Sequence, residues 1–146
     1  MVREITEKDF GGLMSLYEQL HDNPMPEQTK ELMALWERIL QDEAHHIIVA
    51  QIDGKIISSC VCVIIPNLTH NQRPYALVEN VITDREHRCQ GWGLACLNYA
   101  REIAERENCY KMMLFTGSKK ESTLDFYRKA GYNSEDKTAF IQWLKP

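Results

Sequence analysis

The run HHIIVAQIDGKIISSCVCVII, residues 45–65, limits the fold more than any other part of the chain. Two stretches rich in Val and Ile meet at Asp53-Gly54, a pair that tolerates the positive φ angles of a type I′ turn, so the run predicts an antiparallel hairpin. A third β-rich run, YALVENVIT at 75–83, follows the polar loop PNLTHNQRP, which has proline at each end. Its apolar and polar positions do not alternate cleanly, which reads as a strand covered on both faces. Such strands need helices to cover them, and helical spacing lies on either side. Phe10, Leu13, Met14, Tyr17 and Leu20 recur at three and four residues behind a capping-box-like Thr6 and Asp9, with a stop expected near HDNPMP at 21–26. Leu32, Leu35, Trp36, Ile39 and Leu40 repeat the pattern and predict a second helix, and a short strand is expected around 3–5.

Beyond the third strand, Trp92, Cys96, Tyr99, Ala100 and Ile103 form an apolar stripe, with Arg101, Glu102, Glu105 and Arg106 outside it, so a long helix is expected from Gly91 to about Asn108. KMMLFT at 111–116 reads as a strand. Ser118 with Glu121 reads as a second capping box, for a helix that carries Leu124, Tyr127 and Ala130 on one face and ends at Gly131 as its C′ residue. TAFIQWL at 138–144 reads as a closing strand. The order is β-α-α-β-β-β-α-β-α-β, a mixed α/β domain spanning 1–146 rather than regular βαβ repetition.

Composition narrows the function classes. A chain of 146 residues is one ordinary domain, and no Pro-, Gly- or Ser-rich linker divides it. A net charge of −4 without any long Lys/Arg run argues against nucleic acid or an anionic membrane as the main partner. Five cysteines, odd in number and without paired C-x-x-C spacing, fit a reducing cytoplasm. No segment approaches the roughly 18 apolar residues of a membrane helix. His45 and His46 are neighbours on a strand and face opposite ways, so they cannot chelate one metal together, and no metal is expected.

The chemistry points to EHRCQGWGLACL, residues 86–97, where Gly91 and Gly93 open the long helix just after Arg88. Two glycines in a first turn cost helix stability and suggest that the backbone comes close to an anion. A Walker loop needs a G-x-x-x-x-G-K-[ST] run, which is nowhere in the chain. A dinucleotide fingerprint needs its first glycine directly after a strand and a third glycine where Cys96 stands. The run Arg88-Cys89-Gln90-Gly91-Trp92-Gly93 instead fits R-x-x-G-x-G. With its surroundings, VENVITDREHRCQGWGLACL, it resembles the acyl-CoA pyrophosphate loop of the GNAT N-acetyltransferase superfamily. STLDFYRKAGY at 122–132 is similar to that superfamily's second signature, a helix ending in Tyr-x-x-x-Gly-aromatic. Free N–H groups at a helix start, together with the helix dipole, suit a diphosphate.

The resemblance implies a GNAT fold with a mixed, mostly antiparallel central sheet, and transfer of an acetyl group from acetyl-CoA to a primary amine by direct transfer in a ternary complex. It implies that Arg88, Cys89, Gln90, Gly91, Trp92, Gly93 and Leu94 hold the diphosphate, and that Val81, Ile82 and Thr83 pair with pantetheine as an added strand. The N–H of Ile82 is the expected oxyanion donor. Tyr127 corresponds to the family's tyrosine near the thiol sulfur. Glu79, the lone carboxylate of its strand, is either a general base or a structural carboxylate, and alternation puts it on the same side as Val81 and Thr83. Two departures stand out: Cys89 occupies a position often glycine in the family, and Lys120 replaces a common asparagine, where it either reaches a phosphate or stays solvated. A non-catalytic acyl-CoA-binding module is the alternative function, the acceptor amine carries no signature, and homodimerisation is left open.

Overall fold

In the computed structural model, which describes residues 1–20 and 23–145, the chain forms a compact unit, Met1–Leu114, and a second that begins at Phe115. The first unit is built on a five-stranded sheet of β1 (Val2–Glu4), β2 (His45–Ile52), β3 (Lys55–Ile65), β4 (Tyr75–Thr83) and β5 (Met112–Leu114). Spatial order follows chain order. The first three pairings are antiparallel and β4–β5 is parallel, the mixed, mostly antiparallel sheet expected. Asp53 (φ 46°) and Gly54 (φ 81°) both take the left-handed conformation at the β2–β3 turn, as a type I′ turn requires.

Two helices, α1 (Phe10–Tyr17) and α2 (Lys30–Gln41), precede the hairpin, and α3 (Trp92–Arg106) follows β4. Asp9 Oδ2 accepts from the Thr6 N–H at 2.7 Å and from the Thr6 hydroxyl at 2.9 Å, and Arg3 grips the same carboxylate at 2.7 Å. The helix behind this cap ends at Tyr17, short of the apolar pattern that runs on to Leu20. Of the stop expected at 21–26, His21 and Asp22 lie outside the described residues. Thr29 caps α2 by accepting from the Leu32 N–H at 3.1 Å.

Period-two alternation on β3 sorts the core into two faces. Toward α3, the buried Cys60 and Cys62 thiols donate to the carbonyls of Cys96 and Ala100, at 3.5 and 4.0 Å. Burial pushes the Cys60 thiol well above its usual range, Cys62 to about 12 and Cys96 to about 11, so these cysteines act as small apolar side chains. On the opposite face Val61 packs with Phe10, Leu13, Leu16, Trp36, Ile47 and Ile82, and Phe10 meets Trp36 edge to face at 5.3 Å. The buried stripe of α3 is Gly93, Cys96, Leu97, Ala100, Ile103 and Ala104. Leu97 and Ala104 join the stripe read from spacing, whereas Trp92 and Tyr99 are half-buried.

The second unit holds α4 (Glu121–Lys129). Gly131, at φ 97°, donates to the Arg128 carbonyl at 3.0 Å, and Tyr132 donates to the Tyr127 carbonyl at 3.1 Å. This pair of bonds is a Schellman closure with Gly131 as its C′ residue, as the sequence suggested. The helix start differs from expectation. Lys120 is the N-cap, and Ser118 lies two residues ahead of it, where its hydroxyl accepts from the Lys120 N–H at 3.3 Å instead of closing a capping box with Glu121. The closing strand expected at 138–144 is also absent among the described residues. An apolar pattern makes a strand only where a ladder and a covering layer meet it, and here Phe140, Ile141, Trp143 and Leu144 are 72–94% exposed.

Candidate active site

The decisive local feature is an extra residue in β4. Val61 pairs with Glu79 and Ser59 with Ile82, so two β4 residues, Asn80 and Val81, stand opposite Cys60 alone. This is a β-bulge, and Asn80 holds it with a left-handed backbone at φ 50°. Helices cover the sheet on both faces, as the run YALVENVIT suggested, and the bulge adds a break in alternation at Asn80 and Val81. Faces change accordingly. Glu79 shares the α1/α2 face with its partner Val61 and with Ile82, while Thr83 lies toward α3, where its hydroxyl sits 2.8 Å from that of Ser58. The expectation that Glu79, Val81 and Thr83 share a side fails because the bulge adds one residue to a period of two. Ile82 is back in register with the ladder opposite Ser59, and Asn80 and Val81 are the residues displaced from it. Glu79 is solvent-exposed.

On its other edge β4 pairs with β5 only at Ala76, Leu77 and Val78. From Glu79 to Thr83 that edge has no strand beside it among the described residues. Its outward backbone groups suit an extended ligand that adds as a strand.

The chain then turns through a one-turn 3₁₀ segment, Arg85–His87, into the glycine loop. Asp84, 5% exposed, fixes this turn. Its carboxylate takes the His87 Nδ1 at 3.0 Å, the Gln19 amide at 3.0 Å, the Glu86 N–H at 3.0 Å and the Lys55 ammonium at 3.2 Å. The bond to His87, with those to Gln19, Glu86 and Lys55, holds the Asp84 carboxyl far below the usual range against the opposing effect of burial. His87 is thereby engaged by a carboxylate.

Arg88 Nε donates to the Thr83 carbonyl at 3.1 Å, which bends the exposed guanidinium back toward the end of β4. Cys89 takes φ 58°, the left-handed conformation that glycine adopts without strain, so the backbone has the shape glycine would give it at a cost borne by cysteine. Gly91, at φ 88°, is the N-cap of α3, and a Cβ there would meet no atom within 4 Å. The first intrahelical bond is Ala95 N–H to Gly91 carbonyl at 2.9 Å. The N–H groups of Trp92, Gly93 and Leu94 therefore point out of the helix start, at the positive end of a 15-residue helix. A bare glycine cradle, three aligned donors and one guanidinium fit a diphosphate.

Glu79, Val81, Ile82, Thr83 and the loop 88–94 thus lie on one continuous stretch of the first unit. Lys120 and Tyr127 belong to the second. There Lys120 is exposed at the start of α4, and Tyr127 is half-buried at its end, its ring 6.4 Å from that of Tyr132. Sequence reasoning missed Asn80, Asp84 and Tyr17. Only Asp84 carried a usable signal, since an Asp three residues before His87 has the spacing of a turn cap.

The sequence pattern of the acetyltransferase (GNAT) family matches residues 13–132, which takes in β4, the glycine loop and α4. The chain belongs to this family. A GNAT-like solved structure, a putative acetyltransferase from Agrobacterium tumefaciens str. C58, is 34% identical, with 99% of each chain covered and a TM-score of 0.91. Glucosamine-6-phosphate N-acetyltransferase from Arabidopsis thaliana shares the fold at 21% identity, covering 99% of this chain and 98% of its own, with a TM-score of 0.87. A glucosamine 6-phosphate N-acetyltransferase from Trypanosoma brucei brucei is 31% identical over 84 residues, 58% of this chain and 55% of the relative. The chain thus spans about half the length of that curated relative. Among the described residues, no helix of this GNAT chain is long and apolar enough to cross a membrane.

Proposed function

We propose that this protein transfers the acetyl group of acetyl-CoA to a primary amine by direct transfer in a ternary complex. The observation that carries the reading is the continuity of the open β4 edge at 79–83 with the donor-lined start of α3, the layout a long ligand with a diphosphate at one end requires. In this reading the backbone from Arg88 to Leu94 binds the diphosphate, and Lys120 is a second candidate phosphate contact. Val81, Ile82 and Thr83 pair with pantetheine. We infer that the oxyanion donor comes from the displaced Asn80 or Val81 rather than from Ile82, a reading supported by the place of Ile82 in the ladder opposite Ser59. Acetyl-CoA supplies an activated thioester, and the chain's part is to orient it, stabilise developing charge and handle protons. Tyr127 donates a hydrogen bond to the departing sulfur. Glu79 accepts the proton of the amine, directly or through water.

The names of two relatives make glucosamine 6-phosphate the first amine to test, ahead of amino acids, polyamines, aminoglycosides and peptide N-termini. We further infer a cytoplasmic protein, in keeping with its five free cysteines, and a homodimer. Calorimetry with acetyl-CoA and a thiol-release screen over those amines test the reading. Micromolar binding with amine-dependent release is expected. Binding without release on any amine would favour the non-catalytic module, and absence of binding would overturn both.

A further inference from the structure

Among the described residues two buried side-chain polar atoms lack a hydrogen-bond partner, His46 Nε2 and the Tyr17 hydroxyl, and the second lies beside the β4 bulge. Tyr17 ends α1 with its hydroxyl shielded from solvent and without a hydrogen bond of normal geometry. Leaving a hydroxyl so placed is unfavourable, and an unpaired buried group in a native fold calls for a reason. Its polar neighbours are Asn80 and Ser59, both of which favour its ionised form, while burial outweighs them and pushes the phenol up to about 12. The Tyr17 hydroxyl is therefore a neutral donor and acceptor beside the residue that makes the β4 bulge.

The hydrogen-bonding capacities of these groups are complementary. Ser59, fully buried, donates its proton to the Ile48 carbonyl at 2.8 Å, so its oxygen is left to accept. Tyr17 can donate to that oxygen and accept from the Asn80 amide. With the exposed Asn80 carboxamide turned onto the Tyr17 hydroxyl, a directional chain would run from Asn80 through Tyr17 and Ser59 to Ile48. Asn80 also carries the left-handed φ of 50° that displaces the bulge backbone from the ladder. Holding the carboxamide holds that backbone.

We propose that Tyr17 is a positioning residue: its hydroxyl latches Asn80 and so fixes the bulge backbone whose displaced groups face the thioester. The inference rests on the acetyltransfer reading for its catalytic half. Its structural half, the latch, stands on the bulge alone.

The test uses Tyr17→Phe, Asn80→Gly, which keeps the left-handed backbone without the carboxamide, and the double variant. Amide hydrogen exchange at Asn80 and Val81 should quicken about tenfold in either single variant, and no further in the double. With the best acceptor from the amine screen, kcat should fall on the order of tenfold while acetyl-CoA affinity and acceptor KM stay within twofold. Thermal stability of Tyr17→Phe should fall only modestly, because the latch consists of hydrogen bonds that are each of small net worth. Unchanged exchange, unchanged kcat, or losses that add in the double variant would each overturn the proposal, since a latch requires coupling. Wild-type protein that binds no acetyl-CoA would instead overturn the acetyltransfer reading, and the exchange measurement would still decide whether Tyr17 holds the bulge.

Discussion

Gly91 and Gly93 look alike in the sequence, and the structure gives them different work. A Cβ on Gly91 meets nothing within 4 Å, so Gly91→Ala acts through its φ of 88°, at a cost of about 1–2 kcal/mol. The expected result is a melting temperature lower by several degrees with CoA affinity only modestly reduced. Gly93 is buried in the first turn of α3, among the N–H groups proposed to face phosphate, so Gly93→Val should weaken CoA binding at least tenfold with the fold retained. Equal affinity by calorimetry in a folded Gly93→Val protein would remove the loop assignment. For the proposed proton handling, Tyr127→Phe should lower turnover on the order of ten to a thousandfold with acetyl-CoA affinity nearly intact. Glu79→Gln should lower turnover and remove the acidic limb of the pH–rate profile. Loss of thermal stability with an unchanged pH profile would make Glu79 a structural carboxylate.

At the scale of elements, what was legible followed from local chemistry. Asp53-Gly54 specified its turn, and Gly131 closed α4, because both need positive φ and the sequence supplies residues that tolerate it. The β4 bulge was hidden for the converse reason. Asn80 tolerates a left-handed backbone but does not demand one, and an extra residue in a strand looks the same as a strand buried on both faces. The strand was therefore read correctly as a strand, with its faces misassigned after Glu79. Asp84 was missed because its importance is tertiary: it ties β4 to Gln19 beyond α1, to Lys55 at the start of β3 and to His87. Its folded carboxyl lies far below the ordinary value, and Asp9, bound by Arg3, is lowered to about 2. With folded values below unfolded ones, both contributions are complete above about pH 5 and are lost as pH falls from there, that of Asp9 through about 2 and that of Asp84 at lower pH still. Asp84→Asn should thus lower stability near pH 7 by on the order of 1–2 kcal/mol, with the gap to wild type narrowing below pH 4 in urea titrations. A gap independent of pH would show that the lost packing, not the charge, mattered.

For the whole molecule, the sequence pattern failed at 138–144, and the failure is informative. The segment has the composition of a strand, yet its four large apolar side chains, Phe140, Ile141, Trp143 and Leu144, face solvent. Single exposed apolar residues are ordinary, whereas four within five positions form the kind of patch that marks a surface used for association. A second copy of the chain is the occupant that is always present at equal concentration, and a two-fold arrangement lets the same segment serve both partners. The homodimer inferred above should therefore depend on this segment. Light scattering should give twice the chain mass at micromolar concentration, and Phe140→Lys with Trp143→Lys should shift it to the monomer. Trp143, the solvent-exposed one beside buried Trp36 and half-buried Trp92, supplies a second readout: its emission should move to shorter wavelength as concentration rises and the indole leaves water. A wild-type protein of single-chain mass, with emission independent of concentration, would sink the inference, while the proposed CoA binding would stand unaffected, because the residues proposed for it, 79–94 and Lys120, lie outside this segment.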